Sequence, residues 1–295
     1  MGIFDLFKKY TGTGNSVEAE LNLDEYEISD PLFFGSRRAV SQAVHRETGK
    51  VLALKHVSPR LEQISEKLKL TQESLIREAA IGRTLSHPNI VKVYGLSRYD
   101  DIEYIVMDYI HDGSLLDVIR NREDYHFRQL IDYCHQVAKA LAYLHHAKVI
   151  HRDIKPGNIL FSGDQAIIAD FGLATAEGVR GYKDPPPRSG TPKYMSPEQT
   201  RAWRLAPTSD IYSLGIMMYE LFTGEMELRL AEITHRAEKT FKVHFDNPNR
   251  LNPRIPDLLD KLIMKCLQNS RQVRPPNGYA VMQELEKLLD LDYKA

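Results

Sequence analysis

From residue 26 to 109, apolar and polar positions alternate in short bursts. YEISDPLFF (26–34), AVSQAVHRE (39–47), KVLALKHV (50–57), VKVYGLSRYD (91–100) and EYIVMDY (103–109) are rich in Val, Ile, Tyr and Phe, and each predicts a short strand. A stretch at about 62–85 interrupts them with helical spacing. Beyond residue 113 the period lengthens: FRQLIDYCHQVAKALAYLHHA puts Leu130, Tyr133, Cys134, Val137, Leu141 and Leu144 on one helical face. Further helices are predicted near 208–223, 256–268 and 278–290. A strand-rich part followed by a helix-rich part predicts an α+β fold with a site between the two.

The same pattern divides the chain into a short helix and linker at 1–24, a strand-rich part at 25–110 and a helical part at 111–295. In the first of these, Ile3, Phe4, Phe7 and Tyr10 fall roughly on one helical face. That face either packs on its own domain or serves as a docking or membrane-surface segment.

Composition narrows the class. Hydrophobic residues at 42% and charged residues at 27% suit a soluble globular chain, and a net charge of −1 gives no support to nucleic acid or anionic membrane as partner. Cys134 and Cys266 lack metal-ligand spacing, which fits a reducing, cytoplasmic setting. No apolar run approaches the roughly 20 residues of a membrane span. No signal-peptide pattern opens the chain, and Leu6 stands where a myristoylation motif needs Ser or Thr.

The chemistry concentrates in HRDIKPGNIL (151–160) and IIADFG (167–172). In that order and spacing the two segments resemble the catalytic loop and metal-binding segment of protein kinases. The resemblance covers about residues 26–290 and implies a bilobal kinase fold, a small antiparallel sheet with one helix followed by a larger helical lobe. Phosphoryl transfer needs an aligned hydroxyl, an aligned phosphate and positive charge where negative charge shifts. By resemblance Asp153 accepts the substrate hydroxyl's proton and Lys155 places a cation by the transferring phosphate. Asn158 and Asp170 offer hard oxygen ligands for Mg²⁺, with Mn²⁺ as a substitute.

Upstream, VLALK ends in Lys55, which matches the family's phosphate-gripping lysine, and Glu78 matches the helical glutamate that pairs with it. YIVMDYIHDGSL resembles the inter-lobe hinge, with Met107 as gatekeeper and the backbone of Asp108, Tyr109 and Ile110 along the adenine edge of ATP. Val40, Ala53 and Leu160 correspond to the residues that sandwich the adenine. In GTPKYMSPE (190–198), Ser196 stands where the family usually has Ala, Glu198 is expected to pair with Arg274, and Asp210 is expected to anchor the catalytic-loop backbone. Lys155 two residues after Asp153, with Thr191 packed against both, is the serine/threonine pattern, and YMSPEQ resembles bacterial Hanks-type kinases. The resemblance therefore implies protein substrates phosphorylated on Ser or Thr.

Three departures qualify it. Phe33, Gly35 and Arg38 occupy the three positions of the family's glycine-rich loop, so only the middle glycine is present and weaker ATP binding is expected. Arg37 or Arg38 either reaches phosphate oxygens or is a solvated surface charge. Gly82 stands where the regulatory spine has a large apolar side chain, beside the ordinary members Val93, His151 and Phe171. Either a neighbour fills that space, or an activating partner or the N-terminal helix holds the glutamate-bearing helix in place. Pro187, within Pro185-Pro186-Pro187, replaces the usual activation phosphosite, although Arg152, its receiving arginine, is present. Ser189 is the preferred substitute, with Thr175 and Tyr182 behind it. The competing readings are a pseudokinase scaffold, opposed by the five intact residues Lys55, Glu78, Asp153, Asn158 and Asp170, and a small-molecule kinase, opposed by the full activation segment. The region 228–245 fits no pattern.

Overall fold

The computed structural model describes residues 21–34, 38–57, 65–100, 102–121, 126–177, 188–224 and 245–291. The helix expected at 3–10, Gly35, Arg37, Tyr182, Pro185–Pro187 and almost all of 228–245 lie outside them. Packing divides the chain into two compact units, one within 1–111 and 170–185, the other within 112–169 and 186–295.

The first unit is built on an antiparallel sheet of six strands among the described residues. These are β1 (Tyr26–Ile28), β2 (Phe33–Phe34), β3 (Arg38–His45), β4 (Val51–Val57), β5 (Val93–Tyr99) and β6 (Ile102–Asp108). The order is β1-β3-β4-β6-β5, with β2 also on β3. One strand was expected over 26–34, but the chain breaks it: Tyr26 pairs with His45 and Phe33 with Val40, with Asp30-Pro31 between the two pairings. Proline has no N–H to give a ladder, which accounts for the break. β4 is central and buried through its middle, and Leu52 and Leu54 join Leu23, Tyr26, Ala43, Tyr104 and Val106 in the core.

Helix α1 (Ser65–Arg83) packs on β5. Its Gly82 is a point of close approach: a Cβ there would lie 2.6 Å from Val93 Cγ2. Val93 therefore fills the space that the sequence left open beside this glycine. Gly82→Leu is expected to lower stability by about 1–3 kcal/mol through overpacking, with Val93→Ala recovering part of the loss in the double variant. A neutral Gly82→Leu in chemical denaturation would contradict this packing.

The second unit holds α2 (Leu115–Asn121), α3 (Phe127–His146), β7 (Val149–Ile150), β8 (Ile159–Ser162) and β9 (Gln165–Ile168). The chain returns to the first unit for the two-residue strand β10 (Thr175–Ala176). The second unit resumes with α4 (Pro197–Thr200), α5 (Pro207–Thr223), α6 (Pro248–Leu251), α7 (Asp257–Cys266) and α8 (Gly278–Leu289). On α3, Tyr133, Cys134, Val137, Leu141 and Leu144 are buried as the periodicity predicts, while Leu130 is only half-buried and Ile131 is fully enclosed. Helix α8 lies against α3, and Gly278 permits it: an added Cβ would sit 2.3 Å from the Ala142 nitrogen. No helix among the described residues is long and apolar enough to cross a membrane.

Candidate active site

In the first unit, β4 delivers Lys55 and α1 delivers Glu78, both buried. Lys55 Nζ lies 2.7 Å from Glu78 Oε1 and 2.7 Å from Asp170 Oδ1. Asp170 has a left-handed backbone, φ 65°, and its Oδ1 also accepts the Gly172 N–H at 3.1 Å. Burial works to raise this carboxyl, but the Lys55 ammonium, and beyond it Arg38 and the Gly172 N–H, hold it well below the usual carboxylate range. Charge prevails over desolvation here because the opposite charge is in direct contact.

Val40 on β3 stands opposite Lys55, and Ala53 on β4 stands opposite Met107 on β6. The Asp108 N–H donates to the Lys92 carbonyl at 3.0 Å, and its carboxylate accepts from the Tyr94 hydroxyl at 2.8 Å. Tyr109 stacks on His111, and Ile110 is half-buried beside them. Thr175 on β10 is half-buried.

Of the two expectations held for Arg38, the structure overturns the solvated surface charge. It is not a solvated charge, being 17% exposed in its side chain, and its described partners are protein groups. Its guanidinium pairs with Glu78 Oε2 and donates to Ser74 Oγ at 2.6 Å. Arg77, which the sequence did not single out, donates to the Gly172 carbonyl at 2.8 Å. Neither contact has a local signal, because the partners lie far away along the chain.

In the second unit, the loop after β7 carries Asp153, Lys155 and Asn158. Asp153 Oδ1 accepts the Thr191 N–H at 2.8 Å and the Thr191 hydroxyl at 2.9 Å. Its Oδ2 accepts from Lys155 Nζ at 2.6 Å and from Asn158 Nδ2 at 3.2 Å. Lys155 also donates to Thr191 Oγ1 at 2.8 Å, which fixes the hydroxyl proton on the carboxylate. Asn158 spends its nitrogen on Asp153, bonding the main-chain oxygen as well at 2.8 Å, so its amide oxygen is the atom suited to a cation. Leu160 lies on β8 opposite Ile167, and Ser189 is half-buried just before Thr191.

This loop is held from behind. Asp210, fully buried on α5, accepts the N–H groups of His151 and Arg152 at 2.8 Å each. His145 Nε2 is a further 3.0 Å contact, while Nδ1 of that ring accepts the Gly278 N–H at 3.0 Å. Burial works to raise Asp210, but the hydrogen bond from His145, with the backbone donors, keeps it low. Arg152 has φ 70° and its carbonyl accepts from Gln199 Nε2 at 2.8 Å. Ser196 caps α4 in a reciprocal box with Gln199, so the residue that departs from the family's Ala has a structural task here. Glu198 and Arg274 form a buried two-pronged pair at 2.8 and 3.1 Å. His145 had no motif to announce it, and YMSPEQ flagged Ser196 and Gln199 without revealing the bonds they make.

Comparison with known proteins adds an independent line. The model of the protein kinase domain family matches residues 26–286. A probable serine/threonine-protein kinase of Clostridium acetobutylicum is 31% identical over 269 residues, which is 90% of this chain and 40% of that protein. The serine/threonine-protein kinase PrkC of Bacillus subtilis is 34% identical over 211 residues, 71% of this chain and 32% of its own length. An Aurora kinase of Saccharomyces cerevisiae is 32% identical over 252 residues, 82% of this chain and 65% of its own. The chain thus spans 32–40% of the length of these two bacterial relatives.

Proposed function

Because this chain belongs to the protein kinase domain family, we propose that it transfers the γ-phosphoryl group of ATP to serine or threonine hydroxyls of proteins, its own chain included. The observation that carries the reading is Asp153, whose carboxylate is oriented by Thr191, Lys155 and Asn158 at once. A carboxylate so held takes the hydroxyl proton and directs the oxygen toward phosphorus. Lys155, anchored between Asp153 and Thr191, supplies positive charge at the transferring group.

Lys55 binds the α- and β-phosphates, kept extended by Glu78. Asn158 and Asp170 are the proposed magnesium ligands, each with an oxygen not engaged by the bonds that orient it. Magnesium, when bound, neutralises charge on the β- and γ-phosphates. Val40, Ala53, Leu160 and the backbone at 108–110 receive the adenine, in the manner of the family. A cytoplasmic location is part of the proposal, in keeping with two free thiols, Cys134 and Cys266, that are both buried. No observation favours the scaffold reading.

The test is incubation with Mg²⁺ and γ-labelled ATP, with and without casein, followed by phosphoamino-acid analysis. Label is expected on serine or threonine. A folded, nucleotide-binding protein that transfers no label to itself or to casein would overturn the proposal.

A further inference from the structure

Arg38 stands at the start of β3, and its two described partners, Ser74 and Glu78, lie four residues apart on α1. That spacing puts both on one helical face, so a single guanidinium fixes the helix at two points a turn apart. A bridge at one point lets a helix pivot, whereas a bridge at two points opposes both rotation and sliding.

The charges close the argument. Glu78 is gripped on Oε1 by Lys55 and on Oε2 by Arg38, and Lys55 is shared with Asp170. Among the described ion pairs, two cations thus meet two carboxylates. Without Arg38, one ammonium stands between two carboxylates that repel each other, and the cheaper relief is movement of Glu78 and its helix away. A second observation places the guanidinium against the metal-binding segment. A Cβ added at Gly172 would come within 3.1 Å of Arg38 Nη1 and 3.2 Å of Glu78 Oε2. Arg77 and Ser74 both direct donors at the Gly172 carbonyl, at 2.8 and 3.5 Å.

We infer that Arg38 is a positioning residue for Lys55: it locks α1 in the arrangement that keeps Glu78 on Lys55, by a contact within the chain. The arginine that stands at a glycine position of the family's loop thereby supplies a strut for the helix. The inference rests on the kinase reading for its effect on turnover, but not for its effect on the helix.

The experiment compares the full chain with Arg38→Met, which keeps length and loses charge, and Arg38→Lys, which keeps one charged donor. Amide exchange of Ser74–Arg83 without nucleotide is expected to quicken about tenfold or more in Arg38→Met. In the same variant kcat is expected to fall about tenfold or more with KM for ATP unchanged or lower, and Arg38→Lys is expected to recover part of both losses. Unchanged exchange would overturn the inference. A raised KM for ATP with kcat intact would also overturn it, by making Arg38 a phosphate ligand. Should Arg38→Met fail to fold, Ser74→Ala removes one anchor, and faster exchange of the helix is again required. Faster exchange in a chain whose wild type transfers no phosphate would uphold the strut and defeat the kinase reading.

Discussion

Asp153→Asn is expected to slow phosphoryl transfer by about 10²–10⁴-fold, the usual contribution of a positioned acid–base group. The change is nearly isosteric, so the loss reflects chemistry more than shape. All four neighbours of the carboxylate are donors: the Thr191 N–H and hydroxyl on one oxygen, Lys155 and Asn158 on the other. An amide cannot accept from both sides. Turned one way its NH₂ faces Lys155 and Asn158, both donors; turned the other it meets the Thr191 N–H; either way the substrate hydroxyl loses its carboxylate base. The clash should also remove about 1–3 kcal/mol of stability. Rate and stability are separated by measuring kcat with labelled ATP beside urea unfolding, with nucleotide affinity expected to stay within about threefold. A kcat close to wild type would take Asp153 out of the mechanism.

Arg274→Met should have the largest effect on stability, a loss of about 3–5 kcal/mol. Arg274 donates twice to Glu198 and also to the carbonyls of Thr208, Gln268 and Asn269, and both side chains are buried. Its removal strands a buried carboxylate without its counter-charge. Burial works to raise Glu198, but its bonds to Arg274, with Ser209 behind them, hold it below the ordinary range. In the wild type this group's stabilisation is complete above its unfolded value, about 4.3, and is lost as pH falls through the lower folded value. In Arg274→Met burial is opposed only by the Ser209 hydroxyl and a backbone N–H, and the sign reverses. The deficit is then widest near neutrality and narrows on acidification, which urea unfolding at several pH values would reveal. The double variant Glu198→Met/Arg274→Met should be more stable than Arg274→Met alone, because no charge is left unpaired. A single variant within about 1 kcal/mol of wild type would show the pair to be dispensable.

What could be read in advance was local. Lys155 and Asn158 follow Asp153 within five residues, so their grouping is written in one short segment. The strands and long helices announced themselves through periods of two and 3.6 residues. The break between β1 and β2 was also local, marked by Pro31, yet the apolar residues on either side hid it. The contacts that escaped are those that only folding brings together. Val93 was legible as a core residue but not as the side chain that occupies the space at Gly82. Arg38 could be ranked only as a phosphate ligand or a surface charge, since Ser74 and Glu78 lie 36 and 40 positions away. His145 looked like the end of an amphipathic helix, and nothing tied it to Asp210 or Gly278.

The bracing of the catalytic loop has a consequence in time. Asp153 emerges from the ribosome with Lys155 and Asn158 close behind, but well before Thr191, then Gln199 and Asp210, and finally Gly278, whose N–H engages His145. At about 5–20 residues per second, the interval from Asp153 to Gly278 is roughly 6–25 s. During that interval a nascent chain carries Asp153 without the full set of groups that brace it. A ribosome-bound chain truncated before Thr191 should therefore be catalytically silent, which would spare the cell phosphorylation by an unfinished kinase.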